Sequence, residues 1–129
     1  MNFSFLKKDH KSIPEFINQK LLAVFPRAIN IEWNKNQNTF EALFYMDEAE
    51  LIAKLNEKGE LIEHKKNIRK NEIPETIGLK TYEHGEIMSA IAIYFGEEVH
   101  YEIIIRQKDL VRYLLILNSQ GTLLEKRKV

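Results

Sequence analysis

The side chains that could do chemistry in this sequence are few and widely spaced. His100 and Glu102 lie two positions apart, so on a strand they would share one face and could share a metal ion. A zinc site needs at least three protein ligands, and no third candidate accompanies this pair. We therefore predict a solvated strand start at this position and no metal site.

Two further histidines have acidic neighbours. His64 follows Glu63, but adjacent residues of a strand point to opposite faces. His84 lies between Glu83 and Glu86 near the predicted end of a helix, where the helix dipole favours a positive charge. The sequence has no cysteine and lacks the G-x-S-x-G, P-loop and H-E-x-x-H motifs. Because no nucleophile has a candidate base, we predict no catalytic residue and no enzymatic activity.

Acidic residues cluster in two predicted turns, at 47–50 and 96–98. Their carboxylates could hold calcium weakly, although the ordered loop of spaced ligands that calcium sites use is absent. A charge run at a turn is typical of a solvated surface. Binding of calcium or another small ligand by an accessory protein is therefore the alternative hypothesis, and we predict no resident cofactor.

The composition excludes several classes of partner. The 129 residues contain 19 basic and 19 acidic side chains, and this balance argues against nucleic acid, whose binding depends on clustered positive charge. The same neutrality permits self-association. No apolar run approaches the length of a membrane span, and the first residues do not resemble a secretory signal. We predict a cytoplasmic protein if the chain is full-length, and a periplasmic one if a signal peptide was trimmed.

An internal repeat is the most informative feature of the chain. Residues 13–66 return in weakened form as residues 73–128. The tripeptide Ile-Pro-Glu at 13–15 recurs 60 positions later, and Gly59 recurs 62 positions later as Gly121. The offset grows between elements, as expected when loops absorb insertions and strands keep their phase. We predict one domain, 1–129, with residues 1–12 as a leader outside the repeat that could add an edge strand.

Each repeat shows one helical pattern followed by four strand patterns. Ser12 and Glu15 form a capping-box signature with Pro14 in the first turn. The second helix contains Gly78 and β-branched residues, which weaken helix propensity, and Gly85 is its expected cap. The predicted helices are 13–25 and 73–84, and the predicted strands are 29–34, 40–46, 49–56, 60–66, 87–95, 99–107, 111–118 and 122–128.

Short turns between the strands predict an antiparallel meander in each repeat. The fold class is therefore α+β, a tandem duplication that forms one curved eight-stranded sheet with two helices on one face. In the first repeat Ile29, Ile31 and Trp33 alternate with polar residues. We expect these side chains to face the first helix, together with the alternate apolar residues of the next strand.

The sheet face without helices should be polar if water covers it. Instead it would carry apolar side chains and two arginines. They are Leu43, Tyr45, Ile52, Ile104, Arg106, Arg112, Leu114 and Ile116. An apolar centre with a charged rim is typical of a surface that binds a partner. Two alternatives stay open: the second half could curl into a barrel-like core, or the leader could cover these residues.

The order of motifs resembles a known family. Each half has Ile-Pro-Glu, a helix, a strand with an aromatic end, a Phe/Tyr-Glu strand, an apolar strand and an Asn-x-x-Gly hairpin. This order resembles the PepSY-like proteins of Bacteroidetes, whose fold is akin to that of the beta-lactamase inhibitor protein (BLIP). The resemblance implies two helix-plus-four-strand units, no catalytic residue and, for many members, export. The chain departs from it at Gly78 and Gly85, in the hairpin at 118–121, and in showing no signal.

From these patterns we predict a non-catalytic binding protein. The helix-free face would dock another protein or a second copy of the chain, with the apolar side chains supplying desolvation. Arg106 and Arg112 would orient the partner. No motif transfers the inhibition of beta-lactamase to this chain, since a shared fold does not carry a function.

Overall fold

The computed structural model describes residues 13–129. These residues form two α-helices, one short 3-10 helix and an eight-stranded sheet whose strand order follows the chain. Two compact units divide the chain between Lys66 and Asn67, and every strand pair within a unit is antiparallel. The predicted α+β class and the duplicated unit of one helix with four strands are confirmed.

The first unit begins with a helix and continues as a strand meander. Its elements are α1 (Glu15–Val24), β1 (Ile29–Asn36), β2 (Thr39–Met46), β3 (Ala49–Asn56) and β4 (Leu61–Ile68). The N-cap of α1 is Pro14, with no side-chain cap, and Ser12, the expected cap, lies outside the described residues. Proline suits this position because its missing N–H would have no helical partner there.

The second unit repeats the same order of elements. They are α2 (Glu75–Tyr82), β5 (Glu86–Phe95), β6 (Glu98–Arg106), β7 (Arg112–Asn118) and β8 (Leu123–Lys128). A 3-10 helix that the sequence patterns do not predict, Lys70–Glu72, precedes α2. The predicted cap at Gly85 is wrong, since α2 ends with Glu83 as its C-cap. Gly85 instead lies where a Cβ would be 2.7 Å from the carbonyl oxygen of Arg106.

The two hairpins that follow β3 and β7 have the same construction. Gly59 has a φ of 83° and Gly121 a φ of 87°, a conformation that glycine adopts without steric cost. The side-chain oxygen of Asn56 accepts hydrogen bonds from the N–H groups of residues 58 and 60. The side-chain oxygen of Asn118 accepts them from residues 120 and 122. Equivalent residues thus occupy equivalent positions in both repeats.

Each unit has its own apolar core between its helix and one face of its strands. The first core contains fully or nearly buried side chains, and these are Ile17, Leu21, Phe25, Trp33, Phe40, Ala42, Phe44, Leu51, Ala53 and Leu55. The second core is smaller, and its buried members are Ile77, Ala90, Ile103, Ile105, Leu115 and Leu117. Alternate residues of the strands therefore face the helix, as predicted.

One residue of β1 departs from this alternation. The register between β1 and β2 shifts between Ile29 and Glu32, and Asn30 has a φ of 55°. This irregularity places Ile29 opposite Tyr45 and leaves it 59% exposed. The prediction that Ile29 faces α1 is therefore wrong, because an extra residue in a strand reverses the direction of the side chains before it.

Candidate functional site

The first-unit sheet face is the surface of β1–β4 opposite α1. Leu43 of β2 lies directly opposite Ile52 of β3, and both are half-buried. The same cross-strand row continues to Glu32 of β1 and to Lys65 of β4. An apolar pair is therefore flanked by one acidic and one basic residue.

Tyr45 lies at one end of the first-unit sheet face and is 43% exposed. Its hydroxyl donates a hydrogen bond of 3.0 Å to Oε2 of Glu50, and this bond raises the pKa of Tyr45. Ile29, which sequence reasoning placed in the core, lies opposite Tyr45. Asn30 was the available signal, since asparagine adopts positive φ more readily than most residues.

The second-unit sheet face is the surface of β5–β8 opposite α2. Ile104 of β6 lies opposite Leu114 of β7, and the row continues to Ser89 of β5 and Arg127 of β8. Ile104 is half-buried, but Leu114 is only 4% exposed. Leu114 is therefore already covered within the chain and does not offer an open contact, contrary to our expectation.

The neighbouring rows of the second-unit sheet face are more polar. Glu102 lies opposite Ile116, and Ile116 is half-buried. Arg106 lies opposite Arg112, a pairing of like charges that is unfavourable on a sheet. One nitrogen of the Arg106 guanidinium donates a hydrogen bond of 3.2 Å to Glu86, which offsets one of the two charges, and Arg112 is exposed.

A groove of about 360 Å³ opens on this face between β6, β7 and β8. Its lining consists of Glu102, Ile104, Leu114, Arg127, Lys128 and Val129. Its apolar residues are Ile104, Leu114 and Val129, and its charged residues carry both signs.

Two histidines pack against aromatic rings. Among residues 13–129, no cluster contains three or more histidine, cysteine, aspartate or glutamate side chains that could hold a metal. The His100 ring packs edge-on against Phe95, with 4.8 Å between the centroids. The His64 ring packs against Phe25 at 5.3 Å, and burial lowers the pKa of His64.

The acidic turn between β2 and β3 is held by an arginine that sequence reasoning missed. Both carboxylate oxygens of Asp47 accept hydrogen bonds from the Arg27 guanidinium, at 2.9 and 2.6 Å. These bonds lower the pKa of Asp47. Asp47 and Glu48 both have positive φ, as the central residues of a tight hairpin turn require. A calcium ion would have to compete with Arg27 for this carboxylate.

Three solved structures from Bacteroides share the fold. A DUF2874 family protein from Bacteroides uniformis has a TM-score of 0.80 at 14% identity, over 91% of this chain and 90% of that chain. A BLIP-like protein from Bacteroides fragilis has a TM-score of 0.76 at 16% identity, over 92% and 89%. A predicted periplasmic protein from Bacteroides eggerthii has a TM-score of 0.79 at 15% identity, over 90% and 88%.

These similarities confirm the predicted BLIP-like fold. The sequence matches no protein-family model and no curated protein, so membership of the PepSY-like family stays a prediction. At such low identities the solved structures carry the fold alone, and no function follows from them. No helix among residues 13–129 has the length and apolar character needed to cross a membrane.

Proposed function

We propose that this chain is a non-catalytic binding protein whose helix-free sheet surface docks another protein or a second copy of itself. One observation carries the proposal: each unit places a cross-strand apolar pair on the sheet face opposite its helix, and in the first unit both members are half-buried. The pairs are Leu43 with Ile52 and Ile104 with the nearly buried Leu114, and a basic residue on the next strand ends each row.

The first-unit sheet face offers the more open contact. Tyr45 and Ile29 are exposed there, at 43% and 59%, beside the half-buried Leu43 and Ile52. Burial of apolar surface contributes about 25 cal/mol per Å², and tyrosine is enriched among the residues that dominate binding energy. These four side chains would supply the desolvation that association requires.

The second-unit sheet face would contribute in a different way. Because Leu114 is nearly buried, Ile104 and Ile116 would make its apolar contacts. Arg106 and Arg112 would orient an acidic partner, since a guanidinium can form two parallel hydrogen bonds to one carboxylate. The pairing of two arginines across the strands supports this role, because an approaching carboxylate would relieve their repulsion.

The location of the protein bears on which partners it meets. The predicted periplasmic protein from Bacteroides eggerthii supports the periplasmic option of the sequence analysis, and no comparison supports the cytoplasmic one. We therefore place the proposed partner in the periplasm.

The proposal is tested by placing charges on the most exposed part of the first-unit sheet face. Replacing Tyr45→Lys together with Ile29→Lys should leave the circular dichroism spectrum unchanged and weaken association at least about tenfold. Leu79→Glu is the matched control, because Leu79 is 65% exposed on α2 and lies outside the proposed surface. A native-mass measurement would detect a dimer of the parent chain. A pull-down from periplasmic extract would detect a different protein partner.

Two results would count against the surface. If the double variant unfolds, Tyr45 and Ile29 belong to a structural core. If it associates as tightly as the Leu79→Glu control, the first-unit sheet face is not the interface. Adding calcium to the same native-mass measurement tests the alternative function, which would require a calcium-dependent change in mass that Asp47→Asn abolishes.

A further inference from the structure

The outer edge of β8 is a second surface with its own chemistry. Among residues 13–129, β8 lies at one end of the strand order and has a strand neighbour on one side only, β7. Every residue of β8 is exposed. The register shift with β7 lies before Glu125, so the strand is regular from Glu125 to Lys128. A regular edge presents a row of N–H and C=O groups that another strand can pair with.

The direction of each backbone group along β8 follows from one hydrogen bond. The N–H of Val129 donates to the carbonyl of Arg112 at 3.0 Å. In an antiparallel pair, hydrogen-bonded positions alternate with non-hydrogen-bonded ones. The backbone of Arg127 therefore bonds to β7 as well. Lys126 and Lys128 turn their N–H and C=O groups toward the outer edge.

The side chains make this edge basic. Lys126, Arg127 and Lys128 are consecutive, and Glu125 forms an ion pair with Arg127 at 3.2 Å. β8 thus carries one acidic and three basic side chains. Lys126 lies over the ring of Tyr113, with Nζ 4.9 Å from its centroid, which holds its charge beside the edge.

β1, at the other end of the strand order, has an irregular edge. β1 contains the register shift between Ile29 and Glu32, and Asn30 within it has a φ of 55°. Bulges of this kind interrupt the row of hydrogen-bonding groups and discourage pairing. The edge of β8 has no such interruption after Glu125, so charge alone selects what can pair with it.

We propose that the outer edge of β8 binds an extended acidic peptide segment of another protein by strand addition. A second copy of β8 would oppose three basic residues with three more, which is unfavourable on a sheet. The leader, residues 1–12, contains Lys7, Lys8 and Lys11 and a single acidic residue, Asp9. Its positive charge makes it equally unsuitable for pairing with the basic edge of β8. Main-chain hydrogen bonds would supply the affinity and acidic side chains the selectivity.

The two faces of β8 also specify the order of residues in the peptide. Lys126 and Lys128 lie on the α2 side of the sheet, whereas Arg127 lies opposite Leu114 on the second-unit sheet face. Peptide side chains alternate between the same two faces. Acidic residues would therefore lie beside the two lysines, and the residues between them would lie beside Arg127, whose charge Glu125 already pairs. The predicted ligand alternates acidic and apolar residues.

Binding of a labelled hexapeptide of alternating Glu and Val to the full chain tests the proposal. Fluorescence anisotropy should show saturable binding that weakens with salt. The same peptide with alternate amides N-methylated should not bind, because it cannot pair along its backbone. Hydrogen exchange should slow at the amides of Lys126 and Lys128 when peptide is added, and should stay unchanged at Arg127.

Two sets of variants separate backbone pairing from simple charge attraction. Lys126→Pro removes an outward N–H without removing a bond to β7, so it should lower affinity about tenfold further than the matched Lys126→Ala. The double variant Lys126→Glu with Lys128→Glu should no longer bind the Glu–Val peptide and should bind a peptide of alternating Lys and Val instead. This charge exchange stays decisive if the proline variant does not fold.

Several outcomes would overturn the proposal. The first is that no Glu–Val peptide binds the parent chain. The second is that the N-methylated peptide binds equally well, which would indicate charge attraction alone. The third is that binding requires deletion of residues 2–12, which would show that the leader occupies the edge. The fourth is that binding is lost as the chain dimerises, which would show that a second copy occupies it.

Discussion

At the scale of single residues, the fold alters the acid–base chemistry of His64. Its ring packs against Phe25, and burial lowers its pKa below the ordinary value of about 6.5. Glu63 opposes this change and Lys66 adds to it. His64 is thus a half-buried imidazole that packs against a side chain of the first core.

His64 should therefore make stability depend on pH. Because its pKa is lower in the folded state, the unfolded chain binds the proton more readily. The contribution to stability is complete above about pH 6.5 and is lost as the pH falls toward the lowered pKa. Urea unfolding between neutral and mildly acidic pH should show this loss in the parent chain and not in His64→Gln. Parallel curves for the two proteins would contradict it.

At the scale of elements, α2 is the weaker helix. It has eight residues against ten in α1, and Gly78 lies in its interior. A Cβ at Gly78 would find only a methyl group of Ile73, at 3.9 Å, which is an ordinary contact. At Gly85, after the helix, a Cβ would lie 2.7 Å from the carbonyl oxygen of Arg106. The fold thus leaves room for a side chain at Gly78 but not at Gly85.

The same substitution at these two glycines should have opposite effects. Gly78→Ala should raise the free energy of unfolding by up to about 1 kcal/mol, because alanine has the higher helix propensity. Gly85→Ala should lower it, since either β6 or the start of β5 must shift to admit the methyl group. Chemical denaturation of both variants checks this. A loss of stability at Gly78→Ala would show that Ile73 requires the closer approach.

The elements were predictable where a repeat and a local rule agreed. Alternation along β2 and β6, and turn glycines such as Gly59, place the strands within one or two residues. The errors have two different causes. Asn30 introduces a register shift that reverses Ile29, and alternation gives no sign of it. Leu114 is buried on the helix-free face, which depends on side chains distant in sequence.

The candidate site was predictable to a smaller extent. Opposite residues on neighbouring strands, such as Leu43 and Ile52, follow from the strand register once the turns are known. The bond from Arg27 to Asp47 joins a loop to a turn 20 residues away, and no periodicity in the sequence indicates it. Strand phase therefore predicts which face a residue occupies, whereas exposure and ion pairs depend on tertiary packing.

At the scale of the whole molecule, the central question is whether the two units unfold together. The boundary between them, after Lys66, falls inside β4 (Leu61–Ile68), so one continuous strand belongs to both. A unit of about 60 residues buries a smaller fraction of its surface than a larger domain does and is marginal alone. Loss of either unit would remove part of β4 from the other, and we expect a single cooperative transition.

Trp33 makes this expectation testable, because it is the single tryptophan of the sequence and lies in the first core. Leu115→Ala leaves a cavity in the second core and should cost about 2–5 kcal/mol. If the units unfold together, the thermal midpoint reported by Trp33 fluorescence falls as far as the midpoint reported by circular dichroism. A Trp33 midpoint that stays at the parent value while the circular dichroism transition broadens would show that the units unfold separately.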